Sequence, residues 1–118
     1  MTARWSETQK LVAAYLTTHG WPYAQDTGTG RGGVDITGVP GLAIEVKAED
    51  GWRPTTWLRQ VSKHEPSLMP PSGLHIARFV VERPKGFGPL TVHQWPVIMT
   101  LRHCVTLLHA AGYGDDDA

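Results

Sequence analysis

Apolar and polar positions alternate along this chain with two different periods. Leu11, Val12, Tyr15 and Leu16 recur at i, i+1, i+4 and i+5, the stripe of an amphipathic helix. Ser6 with Gln9 three residues later predicts a capping box at its start, and Gly20 and Pro22 predict its end. Tyr23 to Asp26 reads as an edge strand. Val34 to Thr37 and Leu42 to Ala48 read as two central strands joined by Val39-Pro-Gly, a turn of type II composition. Thr55 or Thr56 is expected to cap a helix reaching about Glu65, with Trp57, Val61 and His64 on one face. Leu74 to Glu82 shows little alternation and is expected to be a strand buried on both sides. Leu90–Val92 and Trp95–Met99 read as short strands. Thr100 is expected to cap a last helix with Leu101, Cys104, Val105 and Leu108 as its apolar stripe.

This order predicts an α/β fold, a small mixed central β-sheet flanked by helices. The 118 residues suit one domain, expected over residues 1–112, followed by a short acidic disordered tail, 113–118. No apolar run approaches the roughly 18 residues of a membrane span, and no h-region of a secretory signal is seen. The single cysteine, Cys104, excludes an internal disulfide; a cytoplasmic location is the expectation. Lys plus Arg and Asp plus Glu both number eleven. Three of those acids are Asp115, Asp116 and Asp117, so the body of the chain has eight acids against eleven bases. A weakly positive body leaves room for a nucleic-acid partner without requiring one.

The stretch Gly28–Glu49 carries the candidate chemistry. Four glycines lie between Thr27 and Gly33, in a segment that lacks the Gly-Lys-Ser/Thr ending of a phosphate-binding loop. Asp35 follows at the start of a strand, and Glu45 and Lys47 share one face of the next, opposite Ile44 and Val46. Two neighbouring strands would thus bring two carboxylates and an ammonium together. Such a set suits a divalent metal, Mg²⁺ with Mn²⁺ as substitute, and hydrolysis of a phosphodiester. Asp35 and Glu45 are the expected ligands, with the Val46 carbonyl as an added oxygen. Glu7, in the first turn of the first helix, is either a surface carboxylate or a third acid over the site. Lys47 would orient water or stabilise developing negative charge, and Gln60 would hold water or a phosphate oxygen. Arg31, Arg59 and Lys63 are candidate contacts to nucleic-acid phosphates, and Arg31 reads equally well as an ordinary solvated arginine. The histidines show no zinc spacing; His64 is read as packing on the core.

Asp35 with Glu45-Val46-Lys47 resembles the signature of the PD-(D/E)xK, or restriction-endonuclease-like, nuclease superfamily, with Val34 at the position of the nominal proline. Within it the chain is similar to small archaeal and phage Holliday junction resolvases. Glu7 matches their early helical glutamate, Thr27–Gly33 their Gly/Ser-rich segment, and Trp57-Leu58-Arg59-Gln60 the helix after their sheet. The resemblance implies a restriction-endonuclease-like core, a metal-dependent endonuclease of branched or duplex DNA, and a homodimer making paired cuts in a four-way junction. The alternatives are another structure-specific or nicking nuclease of the same fold, or a non-catalytic DNA-binding subunit.

Overall fold

The computed structural model describes residues 3–28, 33–48 and 51–115. Helix α1 (Ala3–Thr17) is followed by strands β1 (Gln25–Asp26), β2 (Ile36–Thr37) and β3 (Leu42–Lys47). Helix α2 (Pro54–Val61), strand β4 (Ala77–Glu82), a 3-10 helix (Pro89–Gln94), strand β5 (Val97–Ile98) and helix α3 (Leu101–Ala110) complete the chain. β3 and β4 are parallel, with Leu42 opposite Ala77 and Lys47 opposite Glu82. β5 is antiparallel to β4. β1 and β2 form an antiparallel ribbon beside β3, joined to it where the Asp35 N–H donates to the Ile44 carbonyl at 3.0 Å. The result is a small mixed α/β arrangement with α1 packed on one face and α2 on the other.

The alternation of β3 creates these layers. Ile44 and Val46 join Val12, Ala13, Ile36, Val81 and Trp95 in the core beneath α1. The other face of β4 presents Val80 to Trp57 and Val61 of α2, two residues one turn apart and each 1% exposed. In a parallel pair, residues in register share a face, so Glu45 and Lys47 lie on the side of Val80. β4 packs on both sides, as the low alternation of its sequence predicts.

Several boundaries differ from the sequence reading. α1 starts at Ala3, so Ser6 lies inside the helix and is not its cap; Gln9 is fully buried instead of reaching back as a capping-box partner. α2 begins at Pro54, whose fixed φ and missing N–H suit the first helical position, so Thr55 and Thr56 are first-turn residues and not caps. It ends at Val61, where the Lys63 and His64 amides tighten onto the Gln60 and Val61 carbonyls ahead of Pro66. The expected strand at Leu90–Val92 is part of the 3-10 helix, which Pro89 initiates without a ladder partner. The Thr100 cap is as expected, its hydroxyl accepting from the His103 N–H at 3.2 Å. Of the acidic tail, Asp115 is exposed, and residues 116–118 lie outside the described residues.

Two glycines fix the turn that brings β2 against β3. Gly41 has φ +78°, and the Leu42 N–H returns to the Val39 carbonyl at 3.0 Å, a type II turn with Pro40 and Gly41 at its centre. Gly38 has φ +76°, and a Cβ there would overlap the Tyr23 carbonyl oxygen. Gly38→Ala is therefore expected to lower stability by at least about 2 kcal/mol, from left-handed strain and backbone collision together. Urea denaturation checks this, with Gly86→Ala as comparison, since that site has positive φ but open space.

Candidate active site

Asp35 precedes β2, and its Oδ2 accepts the Val46 N–H at 2.7 Å. The bond spans adjoining strands and places the Asp35 carboxylate at the Glu45–Lys47 end of β3. Val46 N–H points to the Asp35 edge, and a strand residue directs its N–H and C=O to the same edge. The Val46 carbonyl therefore faces that edge too. A side-chain hydrogen bond links Asp35 and Glu45. Lys47 Nζ lies 4.0 Å from Glu45 Oε1, with both side chains about one-tenth exposed. Asp35, Glu45, Val46 and Lys47 are thus brought together as the sequence pattern predicts.

Burial dominates the electrostatics. It raises the Asp35 carboxyl above its ordinary value, against the Val46 amide, the Glu45 hydrogen bond, Lys47 and His64, which favour the ionised form. Burial and then the Asp35 charge push Glu45 up to about 8, against the attraction of Lys47. Two like-charged groups in one desolvated place resist simultaneous ionisation, and Glu45 holds the proton.

His64 is the neighbour that the sequence reading assigned to core packing. Its Nδ1 lies 3.7 Å from Glu45 Oε2, and among the described residues neither of these buried atoms has a hydrogen-bond partner. Arg78 secures this turn by donating from Nε to the His64 carbonyl at 2.9 Å and pairing with Glu65 at 3.0 Å. The spacing Trp57, Val61, His64 pointed to this face; the carboxylate waiting there was not visible in sequence.

Glu7 is not gathered with the pair. It is half exposed, and its Oε1 lies 3.5 Å from Arg83. Arg83 is itself buried, a position no sequence pattern marked. Its guanidinium donates to Thr8 Oγ1 at 3.1 Å and to the Phe87 carbonyl at 2.8 Å, and lies 5.3 Å from the Trp95 ring centre. Its backbone N–H donates to the Lys47 carbonyl at 2.8 Å. One arginine thus ties α1 to the end of β3 beside the candidate site. Gln60, Arg59 and Lys63 are exposed on and just after α2, and Arg31 lies outside the described residues.

Among the described residues no three His, Cys, Asp or Glu side chains form a group that could hold a metal ion. Asp35, Glu45 and the Val46 carbonyl provide oxygen donors, and Glu45 Oε2 is a buried atom with no hydrogen-bond partner among the described residues. Hard oxygen ligands of this kind fit Mg²⁺ or Mn²⁺, whose charge would relieve the carboxylate repulsion. Among the described residues no helix is long and apolar enough to cross a membrane. The chain matches no family model, no curated protein and no solved structure.

The raised Glu45 value has a consequence for stability. Between about pH 4.5 and 8 the folded protein keeps a proton that the unfolded chain has released. Stability is therefore expected to fall as pH rises through that window, by at most about 1.4 kcal/mol per unit for one proton. Thermal melts without divalent cation should show this decline, and Glu45→Gln should flatten it. An equal slope in the variant would assign the proton to another group.

Proposed function

We propose that this protein is a divalent-cation-dependent endonuclease with a restriction-endonuclease-like core, cutting phosphodiester bonds in DNA. The observation that carries the reading is the convergence of Asp35, Glu45 and Lys47 at one end of β3, with the Val46 amide fixing Asp35 at 2.7 Å. A mixed sheet with α1 and α2 on opposite faces is consistent with such a core. Asp35, Glu45 and the Val46 carbonyl would hold the cation. When bound, the cation supplies charge neutralisation at the phosphoryl group and a more acidic water. Lys47, 4.0 Å from Glu45, would orient water or stabilise the charge that develops on the phosphoryl oxygens. Glu7 acts on the site through its link to Arg83, and Gln60 borders the approach from α2. Arg59 and Lys63 are open to solvent on that flank and provide positive charge for the DNA backbone.

Four-way junctions are the proposed substrate, on the strength of the motif order Glu7, Asp35, Glu45-Val46-Lys47 and Gln60. Cleavage of a labelled synthetic junction in Mg²⁺, beside linear duplex, flap and nicked DNA, tests both levels. Paired symmetric cuts in the junction are expected. Asp35→Asn, Glu45→Gln and Lys47→Ala should each lose about 10²-fold or more in rate while keeping the fold. Equal cutting of all substrates would retain the nuclease and reject junction specificity. Undiminished cleavage by all three variants would reject the site, and tight binding without cutting in Mg²⁺ or Mn²⁺ would favour a DNA-binding role.

Divalent-cation uptake separates these outcomes from substrate choice. Calorimetric titration with Mn²⁺ near pH 7 is expected to show binding accompanied by proton release, because the cation displaces the proton held by Glu45. Glu45→Gln should abolish the proton release. Binding that releases no proton in the unaltered protein would place the cation elsewhere.

A further inference from the structure

A second concave surface lies at the other end of β3 and β4 from the candidate active site. A cleft of about 880 Å³ opens where the two strands begin, at Leu42 and Ala77, between the segment 70–76 and α3. Five residue steps along β3 separate Leu42 from Lys47, a distance of roughly 16 Å. Backbone bonds fasten the wall opposite α3. The Gly41 N–H donates to the Leu68 carbonyl at 2.8 Å, and the Ala77 N–H donates to the Gly41 carbonyl at 2.9 Å. A Cβ on Gly41 would overlap Pro70, so the proline segment sits directly on the start of β3. A turn then closes from the Leu74 N–H to the Pro71 carbonyl at 3.1 Å, with Gly73 at φ +86°.

The lining combines apolar surface with nitrogen donors. Pro70, Pro71, Leu74 and Leu107 supply the apolar part, and Leu74 and Leu107 are 59% and 43% exposed. α3 brings Arg102, Thr106 and His109 to the cleft at i, i+4 and i+7, with His103 beside them. His75 adds a third imidazole from the other wall. No Asp or Glu is among the described residues that line the cleft. Arg78 is committed to Glu65 and to the His64 carbonyl, whereas Arg102 has no ion-pair partner among the described residues. The buried Nδ1 of His103 has no hydrogen-bond partner among the described residues. Among those residues the histidines form no group that could hold a metal ion, which leaves N–H donation as their chemistry here.

We propose that this cleft binds a small phosphate ester carrying a flat, largely apolar ring system, of the class of a nucleoside monophosphate. The Arg102 guanidinium and the imidazole N–H groups answer the phosphate oxygens, since planar guanidinium and charge-assisted hydrogen bonds suit that anion. The proline and leucine surfaces cover the ring, and they select an organic phosphate over the bare ion. The volume falls in the range of roughly 300–1,000 Å³ that small-molecule sites occupy. One unpaired guanidinium matches one phosphate, whereas a nucleic-acid backbone is followed by a succession of cations. The site draws on neither Asp35 nor Glu45, so it stands independently of the nuclease reading.

Calorimetric titration of the full chain with AMP, inorganic phosphate and adenosine, without divalent cation, tests this. AMP is expected to bind saturably with a Kd below about 1 mM, and phosphate and adenosine each about 10-fold more weakly or worse. Arg102→Ala, at an exposed position, should weaken AMP binding by about 10-fold or more with the melting temperature held. Glu45→Gln should bind AMP as the unaltered chain does, whatever it does to cleavage. No saturation by AMP up to about 5 mM would overturn the proposal. So would phosphate binding as tightly as AMP, which would mark an anion patch only, or AMP binding indifferent to Arg102→Ala. Loss of AMP binding in Glu45→Gln would place the ligand at the Asp35–Glu45 pair and overturn it too.

Discussion

The candidate site depends on the 2.7 Å hydrogen bond from the Val46 amide to Asp35. It commits a backbone donor of β3 to a side chain from the segment before β2. In doing so it draws a buried carboxylate to the place where Glu45 emerges. Burial raises both carboxyls, and the amide offsets part of that cost for Asp35 alone. The Asp35–Glu45 pair is therefore polarised by backbone geometry, with Lys47 close enough to share the charge.

The surrounding fold serves this arrangement through the alternation of one strand. Ile44 and Val46 anchor β3 in the core beneath α1, which turns Glu45 and Lys47 toward the side occupied by α2. Arg78 then fastens the turn after α2, setting His64 within 3.7 Å of Glu45. On the opposite flank Arg83 joins α1 and the Phe87 loop to the end of the same strand. The site is held from two directions by arginines that do not belong to its chemistry.

α3 stands apart from this logic. The core closes on β3, β4, α1 and α2, and the last helix follows a two-residue strand without adding to it. Its apolar residues Leu101, Val105 and Leu108 stay exposed among the described residues.

Periodicity determined the helices, the central strands and their inward faces, because burial selects side chains at fixed intervals along the chain. Asp35 and Glu45-Val46-Lys47 were legible for the same reason, since a two-residue period and one tight turn are enough to bring them together. Ser6, the threonines before Trp57 and the Leu90–Val92 segment were misread. Local capping and strand signals there yielded to a proline at a helix start and to packing with no ladder partner. His64 and Arg83 were decided by tertiary structure alone: each meets its partners only after distant elements dock. Whether the apolar face of α3 is core or surface likewise depends on where that helix lands. Spacing along the chain specifies which side of an element is apolar, and only the packed fold specifies what, if anything, that side meets.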